Sequence, residues 1–137
     1  MDRLKLVVLA AGMAIAIVVF GRVITDMIIG QPLLVSEFQS AGETLSTLAL
    51  QTAFASIPMM VLALRGDRRA WLWAVAVALM VASWAFYAWQ IWRASLVDFA
   101  GGADIGLGLI MIAAPFLILL AMKLLSMTVR KFSRQSG

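Results

Sequence analysis

The run LVVLAAGMAIAIVVFGRVITDMII, residues 6–29, is apolar for most of its length and admits charge only near its far end, at Arg22 and Asp26. As a helix rising 1.5 Å per residue it covers roughly 36 Å, against a bilayer hydrocarbon core of roughly 30 Å. Three more apolar runs follow, over residues 44–64, 70–92 and 105–122. Inside hydrocarbon every backbone N–H and C=O must be satisfied by the protein itself, and runs of this length do that as helices. The sequence therefore predicts an all-α membrane protein, one domain over residues 1–137 with four transmembrane helices. Composition agrees: 64% of the residues are hydrophobic and 13% charged, where a soluble domain has about half and about a quarter.

Charge divides the connections. Arg3, Lys5, Arg65, Arg68, Arg69, Lys123, Arg130, Lys131 and Arg134 lie before the first run, in the tight RGDRR turn, and after the fourth run. With Asp2 and Asp67 these give +7 on one side. The other two connections carry Arg22 and Arg93 against Asp26, Glu37, Glu43, Asp98 and Asp104, which is −3, and the two sides make up the chain's +4. Basic residues are retained on the cytoplasmic side of a membrane. The pattern thus places both termini in the cytoplasm and points two hairpins outward, in a multi-pass protein of a bacterial-type inner membrane. It also accounts for the basic balance without nucleic acid. The first run has a basic start, but FGRVITD follows it in place of a small-x-small cleavage site, so the helix is expected to be retained rather than removed as a signal peptide.

Several residue types refine this picture. Trp71 and Trp73 at one end of the third run, and Tyr87, Trp89 and Trp92 at the other, suit the two headgroup levels. Trp84 lies deeper and is expected to pack against another helix or a bound lipid. Ala10, Gly12, Ala14 and Ala16, then Ala74, Ala78 and Ala82, then Gly102 and Gly106, are small residues at spacings that let helix backbones approach, within the chain or between chains. Pro58 and Pro115 each free the carbonyl four residues earlier, at Phe54 and Met111. The segment around Pro32, Leu33, Leu34, Val35 and Phe38 reads equally as a short interfacial helix or as a loop. Beyond Lys123, Leu125, Val129 and Phe132 alternate with Arg130, Lys131 and Arg134, a helix end suited to anionic lipid.

Few residues offer chemistry. Arg22 and Asp26 stand four apart and share a helix face. Their bland reading is a structural ion pair; their sharper reading is a site where Arg22 binds something anionic. Gln51 on the second run, and Tyr87 and Gln90 on the third, occupy the same outer half of the span, with Thr44, Thr47 and Ser83 near them. Arg22, Asp26, Gln51, Tyr87 and Gln90 are therefore the candidate ligand-binding set, lining an outward-facing polar crevice if the faces converge.

The absences narrow the function. Cys 0 and His 0 remove thiolate nucleophiles, disulfides and the commonest base and axial ligand. No set of residues has metal-ligand spacing, so no metal or other cofactor is expected. No carboxylate stands midway through any run, which an ion-coupled antiporter would need. The expectation is a non-enzyme: an accessory or structural subunit of a larger membrane complex or homo-oligomer, in contact with membrane lipids and with other subunits or its own copies through small-residue faces. The alternative is a small transporter or a protein that binds lipid or an anionic ligand around Arg22.

Overall fold

In the computed structural model residues 2–30, 41–96 and 105–135 are described, those at 29, 41, 94–96, 105–108 and 130–135 by backbone alone. The expected interfacial segments, with Glu37, Asp98 and Asp104, and the basic side chains of the tail lie outside what is described. The described residues form four α-helices: α1 Arg3–Ile29, α2 Ala41–Arg65, α3 Ala70–Leu96 and α4 Ile105–Gln135. Each contains a stretch long and apolar enough to cross a membrane. The fourth runs past the expected end at 122, because LLSMTVRKFSRQ contains neither glycine nor proline to stop it.

The helix ends follow ordinary backbone chemistry. Gly30 closes α1 in the left-handed region, at φ 67°, its N–H donating to the Asp26 and Met27 carbonyls. Gly66 closes α2 in the same way, at φ 66°. There the Gly66 N–H donates to the Ala63 carbonyl and the Asp67 N–H to the Leu62 carbonyl, both at 3.0 Å, the paired bonds of a Schellman ending. Asp67 then organises the start of α3. Its carboxylate accepts from the Arg69 backbone N–H at 3.1 Å and from the Arg69 guanidinium at 3.0 and 2.6 Å. This holds the guanidinium above its ordinary range. The Asp67 carbonyl accepts from Trp73 Nε1 at 2.8 Å, which turns the Trp73 ring inward. A Cβ on Gly66 would meet nothing closer than Arg3 Nε at 3.8 Å, so the demand there is on backbone alone. Gly66→Ala is expected to cost about 1 kcal/mol and Gly42→Ala, in open space without a positive φ, to change little; thermal unfolding in detergent measures both.

Around the bundle α1 packs on α2 and α3, and α4 packs on the same two. Among the described residues α1 and α4 do not meet, while α2 and α3 touch across the short diagonal. Leu6, Ala10, Ala14 and Val18 of α1 form one buried stripe. Leu72, Ala76, Met80, Trp84 and Ala88 of α3 form another. Spacing four keeps each stripe on one face, and alanine lets the backbones close on each other. Pro58 and Pro115 are fully buried, so both prolines face inward. The start of α1 lies against the α2–α3 turn, with Arg3 beside Gly66 and Leu6 near Trp73. At the other end Gly21 of α1 receives the Trp84 ring of α3.

Trp84 is the deep tryptophan expected to pack on another helix, and it does so at Gly21. Ala74, Ala78 and Ala82 behave differently. All three are exposed, on the outside of the bundle. Gly12 and Ala16 of α1 also face outward, while Ala10 and Ala14 face in. The small residues of α1 and α3 thus fall into two sets, one closing the bundle and one left on its surface, while Gly102 and the surroundings of Gly106 lie outside what is described.

Candidate functional site

The polar end of the bundle begins with one turn of α1. Arg22 Nε stands 3.1 Å from Asp26 Oδ1, an ion pair between residues four apart. The Asp26 side chain is 3% exposed and that of Arg22 is 23% exposed, so the carboxylate is enclosed and the guanidinium reaches outward. Between them Thr25 is buried and donates its hydroxyl to the Gly21 carbonyl at 2.8 Å. Among the described residues Thr25, Asp26 and Thr44 of α2 are the polar side chains that are fully buried. A buried charge is tolerated only when paired, and its neighbours then matter.

The third helix brings Tyr87 to this turn. Its ring stands edge-on to Trp84, with centroids 5.7 Å apart at 77°, and Trp84 is the ring seated on Gly21. The Tyr87 hydroxyl lies within electrostatic reach of both Arg22 and Asp26. Arg22, Asp26 and Tyr87 of the candidate set therefore come together. Gln51 of α2 is half-buried, and its Oε1 is enclosed without a hydrogen-bond partner among the described residues. Arg22 Nε is likewise enclosed and lacks a well-aligned hydrogen bond, although its charge is matched by Asp26. Gln90 lies three residues beyond Tyr87, half-buried, and takes no part in the ion pair.

The hydroxyls nearby are engaged with their own helices. Ser46 and Thr47 each donate to the Glu43 carbonyl at 2.9 Å. Ser83 donates to the Leu79 and Met80 carbonyls at 3.0 Å. Such local bonds satisfy a hydroxyl inside hydrocarbon without a partner helix or a ligand. Ser83, Trp84 and Tyr87 also border a void of about 20 Å³ against Ile110, Met111 and Ala114 of α4, enough for about one water molecule.

Comparison with protein-family models, with curated proteins and with solved structures gave no match. The residues themselves must carry the functional reading.

The larger spaces lie on the outer side of α1 and α3. One groove of about 590 Å³ is lined by Ala16, Ile17, Phe20, Gly21, Val81 and Ala85, with Trp84 as its floor. A second, of about 500 Å³, lies nearer the α2–α3 turn, between Leu6, Leu9 and Met13 of α1 and Ala70, Ala74 and Val77 of α3. Arg68 is the one charged residue in either lining. The role of Gly21 is not legible in the sequence. A lone glycine beside an intramembrane arginine was the available signal, but its partner Trp84 is far along the chain. The outward stripe Ala74, Ala78 and Ala82 was visible as a spacing and not as a direction.

Proposed function

We propose that this chain is a small non-enzymatic subunit of a bacterial-type inner membrane, a four-span bundle that docks on another membrane helix from a larger complex or from a second copy of itself. Both termini lie in the cytoplasm and two hairpins point outward. The orientation is supported by where the basic residues gather: Arg3 leans on the α2–α3 turn, which carries Arg65, Arg68 and Arg69. The observation that carries the docking role is the surface of α3. Ala74, Ala78 and Ala82 are exposed in a row beside the open α1–α3 grooves. In a membrane, where lipid tails are as apolar as leucine, a row of small residues favours another helix through close backbone contact.

A photoreactive amino acid at Ala78, activated in native membranes, is expected to give one discrete protein adduct. The same probe at Leu117, a large exposed residue of α4, is expected to give lipid adducts alone. An adduct of twice the protein's mass identifies self-association, and any other discrete mass a partner subunit. Lipid adducts alone at Ala78 would end the subunit reading.

The second reading, an anionic ligand at Arg22, rests on a different observation. Arg22 Nε is an enclosed donor without a well-aligned hydrogen bond among the described residues, and an anion accepts from such a donor. The variant Arg22→Gln separates the two. A subunit keeps its Ala78 adduct in this variant and loses only stability, whereas a ligand-binding protein loses its ligand-dependent stabilisation.

A further inference from the structure

The groove nearer the α2–α3 turn has a charged residue, Arg68, in its lining, and its neighbour is lined by uncharged residues alone. The rest of that lining is apolar: Leu6, Leu9 and Met13 on one wall, Ala70, Ala74 and Val77 on the other. Trp73 closes the floor, and because its indole N–H is spent on the Asp67 carbonyl it offers the groove an apolar ring. The rim is basic. Arg3 reaches the turn beside Gly66, and Arg68 is exposed at the groove's mouth. The acid of this turn, Asp67, is clasped through both carboxylate oxygens by Arg69, so its charge is largely matched and does not repel an anion. The groove thus opens at the polar end of two helices with a cation at its mouth and hydrocarbon along its length.

From this arrangement we infer that the groove binds one anionic phospholipid, its phosphate on the Arg68 guanidinium and an acyl chain laid between α1 and α3. A guanidinium matches phosphate oxygens with two parallel N–H donors. Basic pockets between transmembrane helices select anionic headgroups by the same charge pairing. The volume of about 500 Å³ falls within the usual range for a specific site, roughly 300–1,000 Å³. The alanines at 70 and 74 are small enough to leave the channel open, where leucine would fill it. The inference rests on the helices spanning a bilayer and does not depend on a protein partner at Ala78.

The test uses the full-length protein in vesicles of phosphatidylcholine and phosphatidylglycerol, with a photoactivatable diazirine on the acyl chain of one lipid or the other. Adducts are mapped to peptides. Labelled phosphatidylglycerol is expected to mark residues 6–13 and 70–77 about fivefold more than labelled phosphatidylcholine, the effect of about one basic contact. Arg68→Gln is expected to bring the two lipids level. Arg65→Gln, outside the groove lining, is expected to leave the preference intact. Ala74→Leu keeps every charge and is expected to lower labelling by both lipids at these residues. Equal labelling in the unaltered protein, an undiminished preference in Arg68→Gln, or equal losses in Arg65→Gln and Arg68→Gln would each overturn the site in favour of a diffuse surface charge. Helical circular dichroism confirms that each variant is folded. A protein adduct at Ala78 with no lipid preference would sink this inference and leave the subunit reading standing.

Discussion

Replacing Arg22 by leucine is expected to lower the stability of the folded protein by about 3–5 kcal/mol, the usual loss when one partner of a buried pair is removed. The reason is what remains. Asp26 is 3% exposed, and the change takes away the guanidinium that stands 3.1 Å from its buried carboxylate. The reverse change, Asp26→Leu, is expected to cost less. Arg22 keeps 23% of its side-chain surface open, and a long cationic chain can carry its head toward the interface. The double variant, with leucine at both positions, is expected to recover most of the loss or to exceed the unaltered protein, because well-packed apolar residues often replace a buried ion pair without penalty. Denaturant titration in detergent measures all three. If both single variants match the unaltered protein, the pair does not stabilise the fold.

The second large effect is steric. A Cβ on Gly21 would stand 2.4 Å from Trp84 Cε3 and 2.7 Å from Cδ2, far inside van der Waals contact. Trp84 is a rigid ring, buried, and held edge-on by Tyr87. Gly21→Val is expected to destabilise by about 1–3 kcal/mol, the range for overpacking, and so to outweigh the gain of about 1 kcal/mol or less from removing a glycine within a helix. Gly12→Val is the control, since a Cβ there meets nothing within 4 Å, and its stability is expected to stay close to that of the unaltered protein. Adding Trp84→Leu to Gly21→Val should return part of the loss, because residues in contact couple. Trp84 also stands edge-on to Tyr87, so the ring that Gly21→Val disturbs is the one Tyr87 packs on.

What could be read from the chain follows from bilayer physics. Length and apolar content alone locate α1 to α4, and Gly66 with Asp67 marks the turn between α2 and α3. The pairing of Arg22 with Asp26 is set by helical spacing within one element, so it too is legible. Which face of a span turns inward is not. A soluble helix shows its buried side by alternation of apolar and polar residues, but along α3 both sides are apolar. Ala76 is buried and Ala78 is exposed, yet in the sequence they look alike. Trp84 in its glycine notch, Tyr87 beside the ion pair and the enclosed Gln51 oxygen all depend on contacts between helices distant in sequence. The two grooves are products of that same packing.

The chain has no native cysteine, so single cysteines report cleanly on the arrangement that underlies every reading above. Gly42→Cys stands at the start of α2 and Arg68→Cys in the turn after it, both at exposed positions. With a membrane-impermeant thiol reagent added to intact inner-membrane spheroplasts, Gly42→Cys is expected to react at once and Arg68→Cys only after the membrane is opened. Reaction of Arg68→Cys from outside in sealed spheroplasts, or equal reaction of both positions, would contradict a four-span bundle with its basic end in the cytoplasm.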